Sequence, residues 1–211
     1  MKQKIKLCGI NNLEILDFII NYHYQPDFLG FVFYEPSPRS ISFSLAKKFN
    51  NLISSKIKKV AVTVNASTEY LNLIKDSLEP DIFQLHGEEN ASYIKNNFDK
   101  EKIIKAIPLN NKSDLKQIAQ YQDLVDYLLF DSKVAGYGGS GMSFNWNLLD
   151  NLSLKIPYFL SGGLNINNLN KAISSRCNFF DLSSGIELQK GVKDRKKIAE
   201  ILDLFRKVNE K

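Results

Sequence analysis

Cys8, at the end of the first strand-like segment, is the residue of this chain best placed for acid–base or nucleophilic chemistry. It follows alternating lysines and aliphatic residues and is followed directly by Gly9. Because side chains alternate faces along a strand, Lys4, Lys6 and Cys8 share one face. A lysine beside a thiol lowers its pKa, so we expect a thiolate usable as a base or nucleophile. An isolated cysteine is often a small buried hydrophobic residue instead, and residue type alone leaves both interpretations open.

Asp131 is the candidate proton donor that would complement such a base. It closes the sixth strand-like segment and precedes a glycine-rich stretch at 136–141. An aspartate held partly away from water has a raised pKa and can donate a proton, whereas a thiolate can accept one. Aspartates at such positions usually order a loop or cap a helix, so the pairing with Cys8 is what favours a catalytic role.

Two short turns near the end of the chain are candidates for binding an anion. Ser161-Gly162-Gly163 and Ser183-Ser184-Gly185 each follow an apolar segment. Small residues allow backbone N–H groups to converge, and barrel enzymes commonly bind phosphate after their last two strands. A single glycine turn would mean little, but two such turns in adjacent loops predict a phosphate site.

Arg39 and His86 are further candidates for contacts with a substrate. Arg39 follows the rigid Pro36-Ser37-Pro38 sequence, which would aim a planar guanidinium at a carboxylate or phosphate. His86 ends the fourth strand-like segment after Gln84, and it could equally hydrogen-bond the loop backbone. A solvated surface arginine remains an equal alternative for Arg39.

Hydrophobic patterning supplies the elements that would position these residues. Eight apolar strand-like segments alternate with segments of helical periodicity, which is typical of parallel sheets covered by helices. The predicted strands cover 4–8, 28–33, 57–64, 81–87, 102–107, 125–131, 158–161 and 179–183. The predicted helices cover 11–22, 44 onwards, 70–77, 89–97, 114–121, 167–173 and 193–208, with a short helix in the sixth unit.

Eight strand–helix units in 211 residues predict a single-domain parallel (β/α)8 TIM barrel spanning 1–211. An open doubly wound sheet is the alternative, but no GxGxxG sequence follows the first strand to suggest dinucleotide binding. Active residues of a barrel lie at the carboxyl ends of its strands, where all the candidates above fall. Phe144 and Trp146 are expected to anchor the core of the sixth unit.

Composition limits the classes of partner and compartment. The net charge is +5, but the lysines are scattered and no nucleic-acid recognition motif appears, so we expect no nucleic acid partner. No apolar run is long enough to cross a membrane, and the N-terminus lacks a secretory signal, which indicates a cytoplasmic protein without a membrane partner. Cys8 and Cys177 are too isolated for a disulfide framework or a zinc site, so no metal is expected.

Motifs along the whole chain, in conserved order, resemble those of the phosphoribosylanthranilate isomerase family of tryptophan biosynthesis. The motifs that carry the resemblance are Lys6-Leu7-Cys8-Gly9, Gly30-Phe31-Val32-Phe33 through Ser37-Pro38-Arg39, Gln84-Leu85-His86-Gly87, Phe130-Asp131 with Gly138-Gly139-Ser140-Gly141, Ser161-Gly162-Gly163-Leu164-Asn165, and Asp181-Leu182-Ser183-Ser184-Gly185.

The resemblance implies an Amadori rearrangement of N-(5-phosphoribosyl)anthranilate to 1-(2-carboxyphenylamino)-1-deoxyribulose 5-phosphate, without cofactor or metal. By the same resemblance, Cys8 is the general base, Asp131 the general acid and Arg39 the ligand of the anthranilate carboxylate, with His86 near the substrate. The remaining substrate-binding positions are Gly162, Gly163, Ser183, Ser184 and Gly185 for the phosphate, and Asp181 for the substrate or the geometry of the last strand. A monomer or homodimer is expected.

The sequence departs from the family pattern at Asn11, Asn145 and Lys190, which puts loop positioning in question and leaves the proposed proton carriers intact. Three alternatives remain at this point. The related histidine-pathway isomerase is expected to use two aspartates where this chain has Cys8 and Asp131. A catalytically silent phosphosugar-binding barrel and a nucleic-acid-binding protein are the other two.

Overall fold

Eight parallel strands close into a barrel in the computed structural model of this chain, which describes residues 2–132, 145–149, 152, 154–175 and 177–210. Each strand pairs with the next, and β8 pairs with β1 to complete the ring. The strands are β1 Lys4–Cys8, β2 Phe28–Phe33, β3 Lys58–Thr63, β4 Ile82–Leu85, β5 Lys102–Leu109, β6 Tyr127–Ser132, β7 Tyr158–Leu160 and β8 Phe179–Leu182. The predicted (β/α)8 TIM barrel is confirmed. The motif at 138–141 and the core prediction for Phe144 lie outside the described residues.

Helices cover the outside of the barrel, and most of them begin at a polar capping residue. They are α1 Leu13–Ile20, α2 Phe43–Leu52, α3 Thr68–Leu78, α4 Ala91–Asn97, α5 Ile166–Ile173 and α6 Arg195–Asn209. Asn12 caps α1 and Asp194 caps α6, each by accepting a backbone N–H of the first turn. Three-residue-per-turn 3-10 helices cover Lys112–Gln120, Trp146–Leu149 and Ser184–Ile186.

Strand alternation divides the side chains between two cores. On β1, Ile5 and Leu7 face the helices, whereas Cys8 belongs to the cluster inside the barrel. On β6, Leu129 is inside the barrel and Phe130 packs outward. The period of two along each strand therefore places Asp131 inside with Leu129, as the sequence predicts.

The fifth unit differs from the prediction in two respects. β5 runs through Pro108 to Leu109, although we expected the proline to end it. The pairing of β5 with β4 stops at Lys105, while its pairing with β6 continues, so the missing N–H of Pro108 lies beyond the β4 ladder. The following segment is a 3-10 helix and not the predicted α-helix.

The eighth unit contains a hairpin that the sequence analysis missed. The antiparallel strands β9 Glu187–Gln189 and β10 Val192–Lys193 precede α6. We predicted that the last helix begins at Lys193, but Asp194 caps it and the helix begins at Arg195. The hairpin therefore leaves Lys193 outside the helix, where it extends towards the barrel mouth.

Candidate active site

A cavity with about 700 Å³ of empty space, part of it open to solvent, lies at the carboxyl ends of the strands. It brings together all the predicted site residues except Gly185. Those that line it are Cys8, Arg39, His86, Asp131, Gly162, Gly163, Asp181, Ser183 and Ser184. Gly185 has a supporting position instead, because a Cβ there would lie 1.9 Å from the Leu164 carbonyl oxygen of the preceding loop.

Cys8 is buried at the end of β1, beside Lys6 and against Gly30 of β2. A Cβ on Gly30 would lie 2.8 Å from the Cys8 sulfur and 3.0 Å from Lys6 Nζ, so the glycine leaves room for both groups. Burial raises the pKa of the Cys8 thiol, while the charges of Lys6 and Lys193 act in the opposite direction. Lys6 therefore acts in the direction that we expected, but the expected net lowering is wrong for the free protein, because desolvation and the charge of Asp181 outweigh the two cations.

Lys6 is fully buried and pairs with Asp181 of the neighbouring strand β8. Its Nζ lies 2.9 Å from Asp181 Oδ1, and Asp181 Oδ2 lies 3.5 Å from the Ser161 hydroxyl. Burial opposes the charge on Lys6, but Asp181 and Cys8 outweigh it and raise the pKa of Lys6. Asp181 thus keeps a cation charged beside the candidate base, which the sequence analysis did not assign to it.

Asp131 lies at the end of β6 with its two oxygens in different surroundings. Oδ1 accepts a hydrogen bond of 2.8 Å from the Ser132 backbone N–H, and Oδ2 lies 3.6 Å from His86 Nε2. Burial raises the pKa of Asp131, and His86 and the Ser132 N–H offset part of that rise. The direction suits a group that must hold a proton before donating it.

His86 lies on the loop after β4, between Gln84 and Asp131. Its Nδ1 is 3.1 Å from the amide nitrogen of Gln84. Burial lowers the pKa of His86, which favours a neutral ring beside Asp131. Lys105 stabilises this loop, because its Nζ donates to the Gly87 carbonyl at 2.7 Å and pairs with Glu89 at 2.9 Å.

Arg39 reaches the cavity, and a buried carboxylate fixes its orientation. Its Nε and Nη2 donate to the two oxygens of Glu187 at 2.7 and 2.8 Å, a bidentate pair. Lys193 Nζ donates to the same carboxylate at 2.9 Å, and together with Arg39 it lowers the pKa of Glu187 against the effect of burial. Glu187 and Lys193 were not predicted as site residues, because the hairpin that brings them next to Arg39 lies far from it in the sequence.

The two predicted phosphate turns lie side by side. Gly162 and Gly163 adopt φ values of +81° and +66°, which favour glycine. In the second turn, the Ser183 carbonyl accepts a 3.0 Å hydrogen bond from Lys193 Nζ, and the Ser183 hydroxyl lies 3.4 Å from the same atom. A cation is therefore placed directly behind the loop expected to bind an anion.

The three departures from the family pattern lie in loops or turns. Asn11 Nδ2 donates to the Gly191 carbonyl at 2.9 Å and so joins the first loop to the hairpin. Lys190 lies in the turn of that hairpin, and the Asn145 side chain accepts from the Asn147 N–H at 3.1 Å. None of these contacts involves Cys8 or Asp131.

The described ranges contain no group of three or more His, Cys, Asp or Glu side chains arranged to hold a metal ion. In the same ranges, no helix has the length and apolarity needed to cross a membrane.

Comparison with known proteins identifies the family. The family model for N-(5'phosphoribosyl)anthranilate (PRA) isomerase matches residues 5–204. An N-(5'-phosphoribosyl)anthranilate isomerase from Petrotoga mobilis is 41% identical over 202 residues, covering 95% of each chain. The crystal structure of the phosphoribosyl anthranilate isomerase from Thermotoga maritima aligns with a TM-score of 0.88 at 32% identity, covering 98% of this chain and all of that one.

A second solved structure carries a ligand. It is a phosphoribosyl anthranilate isomerase in complex with reduced 1-(o-carboxyphenylamino)-1-deoxyribulose 5-phosphate. It aligns with a TM-score of 0.82 at 29% identity over 98% of this chain and 100% of that chain. The match in sequence extends over nearly the whole barrel and includes the strands that carry the cavity residues. The chain therefore belongs to the N-(5'-phosphoribosyl)anthranilate isomerase family.

Proposed function

We propose that the cavity catalyses the isomerisation of N-(5-phosphoribosyl)anthranilate, with Cys8 as general base and Asp131 as general acid. The chain is a phosphoribosylanthranilate isomerase of tryptophan biosynthesis, an enzyme that converts an N-linked aminoaldose into an aminoketose. The observation that carries the assignment of roles is that both groups line one cavity from different strands, β1 and β6. An acid and a base on different sides of one sugar are what the reaction requires.

The acid step opens the sugar ring. Asp131 transfers its proton to the furanose ring oxygen while the bond from that oxygen to C1 breaks. The nitrogen lone pair forms a double bond to C1, which gives a protonated imine and leaves Asp131 as a carboxylate. A carboxyl group whose pKa is raised by burial is a better match to this task at neutral pH than an exposed one.

The base step removes a proton from C2. The protonated imine acidifies the C2 hydrogen, and the Cys8 thiolate accepts it. The electrons of the C–H bond form the C1–C2 double bond of an enolamine, which tautomerises to the ketone. A raised thiol pKa reduces the thiolate population and increases its basicity, and Lys6 and Lys193 stabilise the charge when it forms.

The two anionic ends of the substrate match two parts of the cavity. Nε and one N–H of Nη2 of Arg39 donate to Glu187, so Nη1 and the second N–H of Nη2 are assigned to the anthranilate carboxylate. The turns at Gly162-Gly163 and Ser183-Ser184 are assigned to the phosphate. The relative that binds a reduced product analogue supports this arrangement, because that ligand carries both a carboxylate and a phosphate.

Other properties belong to the same proposal. We infer one catalytic domain over residues 1–211 that needs neither cofactor nor metal and binds no nucleic acid or membrane. A monomer or homodimer in the cytoplasm fits this function. Sedimentation equilibrium of the purified chain distinguishes a monomer from a homodimer.

A fluorescence assay that follows the loss of phosphoribosylanthranilate tests the assignment. We expect Cys8→Ala and Asp131→Asn each to lower kcat by about 10² to 10⁴-fold, the usual contribution of a general acid or base. Binding of the reduced product analogue should largely survive in both variants. Cys177→Ala is the matched control, because Cys177 is buried outside the cavity, and its turnover should stay near normal. Near-normal turnover of Cys8→Ala would end the assignment of the thiol as base.

A further inference from the structure

We propose that Gln84 is a positioning residue that holds His86 in one neutral tautomer and thereby keeps a shared proton on Asp131. The inference rests on the proposed role of Asp131 as general acid. It assigns a task to the buried Gln84 and to His86, neither of which carries a transferred proton in the proposed reaction.

The geometry of the three side chains carries the first step. Gln84 lies on β4 and is only 1% exposed, and its amide nitrogen is 3.1 Å from His86 Nδ1. In this orientation of the amide, its nitrogen is the donor and Nδ1 is the acceptor. A neutral imidazole that accepts at Nδ1 carries its proton on Nε2, and Nε2 is the atom that faces Asp131 Oδ2 at 3.6 Å.

Two arrangements of one proton compete in this cluster. Either Asp131 is a neutral carboxyl beside neutral His86, or Asp131 is a carboxylate beside an imidazolium. The imidazolium would carry a proton on Nδ1 as well, and that proton would point at the donor of Gln84. Gln84 therefore disfavours the imidazolium–carboxylate pair, because its donor faces Nδ1, the ring nitrogen on the side away from Asp131.

The charged groups around His86 do not decide the matter alone. Asp131 and Asp181 favour the imidazolium, whereas Lys105 and Lys6 oppose it. Burial disfavours both the imidazolium and the Asp131 carboxylate, and so acts in the same direction as Gln84.

The consequence for the reaction is that Asp131 already holds a proton before the ring opens. Ring opening requires a proton on Asp131, and the neutral pair provides it. Once Asp131 has given up that proton, His86 Nε2–H is a neutral donor that can stabilise the new carboxylate without losing its own proton.

Histidine NMR on the intact chain tests the proposal directly, because the sequence contains only His23 and His86. Two-bond ¹H–¹⁵N correlation spectra distinguish the two neutral tautomers and the imidazolium. We expect His86 in the wild-type protein to show the Nε2–H tautomer at neutral pH. His23, which is half-exposed and pairs with Asp203, is an internal control, and His23→Gln assigns the signals.

Two variants of Gln84 separate the tautomer effect from packing. Gln84→Glu supplies an acceptor to Nδ1, so it should move His86 to an Nδ1-protonated form and lower kcat at least about tenfold, a fraction of the loss expected without the acid. It should also shift the acidic limb of the kcat profile. Gln84→Met removes the donor without adding an acceptor, so it should give mixed tautomers and a smaller loss of kcat.

An Nδ1–H tautomer in the wild-type protein would overturn the proposal. So would unchanged His86 spectra and an unchanged pH profile in Gln84→Glu. If Gln84→Glu fails to fold, as judged by a thermal melt, the wild-type and Gln84→Met spectra still decide the tautomer. The proposed function fails by a different result, which is normal turnover of Asp131→Asn, so the two failures are distinguishable.

Discussion

The two ends of the barrel interior contain different kinds of side chain, which are aromatic at one end and titratable at the other. At the amino end, Phe28, Tyr127, Phe159 and Phe179 form an aromatic cluster with ring centroids 5.2 to 6.3 Å apart. At the carboxyl end, β1, β6 and β8 carry buried titratable groups, which are Lys6, Cys8, Asp131 and Asp181, and His86 follows β4. On β6 and β8, four residues and two residues, respectively, separate one environment from the other.

This difference shows how one barrel can provide both stability and chemistry. The aromatic end buries large apolar rings in tilted and edge-to-face contacts, which stabilise the fold. The carboxyl end buries charges, and a buried ion pair such as Lys6–Asp181 contributes little net stability because desolvation opposes it. Within the barrel interior, stabilisation therefore comes mainly from the amino end.

The largest effect that would test this comparison is a loss of stability without a loss of chemistry. Phe159→Ala removes a fully buried ring from the aromatic cluster, and we expect the free energy of unfolding to fall by about 3 to 5 kcal/mol. The kcat per folded molecule should remain within about twofold of wild type, because packing at the amino end is not part of the reaction. Denaturant unfolding and assays below the melting temperature measure both quantities.

Ser161→Ala is the matched control for this variant, since Ser161 lies just after the same strand but lines the cavity. Its free energy of unfolding should change by less than about 1 kcal/mol. If Phe159→Ala reduced kcat as strongly as it reduced stability, the separation between the two ends would be incorrect.

An intermediate effect is expected at the rim of the carboxyl end. Arg39→Ala removes a charged hydrogen-bond donor assigned to the anthranilate carboxylate, worth about 1.5 to 3 kcal/mol, or roughly 10 to 150-fold in KM. Isothermal titration with the reduced product analogue, and with an analogue lacking the carboxylate, provides the comparison. Equal weakening for both ligands would argue against Arg39 as the carboxylate ligand.

The smallest effect within the neutral range is the response to pH. Burial raises the pKa of Asp131 and that of Cys8, and the reactive form has Asp131 protonated and Cys8 ionised. This form contains as many protons as the form with an ionised Asp131 and a protonated Cys8, so the ratio of the two forms does not change with pH. We therefore expect kcat/KM to be flat between the two pKa values.

On either side of that plateau, the sign of the change is fixed. Below the lower of the two pKa values, the rate falls because both groups are protonated and the proposed base is lost. Above the higher value, it falls because both groups are ionised and the proposed acid is lost. A pH–rate profile measured with Cys177→Ala as background checks this shape, and a maximum confined to a narrow range would contradict it.

Much of the fold and the candidate site follows from local sequence. The alternation around Cys8 and the position of Asp131 at a strand end are sufficient to place both side chains inside the barrel mouth. Period-two and helical patterns likewise predicted all eight strands. The bounds of α6 were less accurate. Asp194 caps the helix by accepting the backbone N–H groups of Lys196 and Lys197, so the helix begins at Arg195 and not at Lys193.

Electrostatic relationships between distant residues were not predictable in the same way. The rise in the pKa of Cys8 results mainly from burial, which a sequence pattern does not measure. The pairing of Arg39 with Glu187 joins residues 148 positions apart and depends on a hairpin whose two strands contain only five residues. Lys6 was visible as a neighbour of Cys8, but its partner Asp181 lies on the strand that closes the barrel.

The shared carboxylate of Glu187 has a consequence for altering substrate preference. Arg39, which we assign to the anthranilate carboxylate, and Lys193, which lies behind the turn assigned to the phosphate, both bind to it. Replacing Arg39 would remove one of the two cations that bind the Glu187 carboxylate. The change would therefore also alter the surroundings of Lys193, at the phosphate end of the substrate site. Redesign for a different aglycone must therefore treat the second loop and the terminal hairpin as one unit.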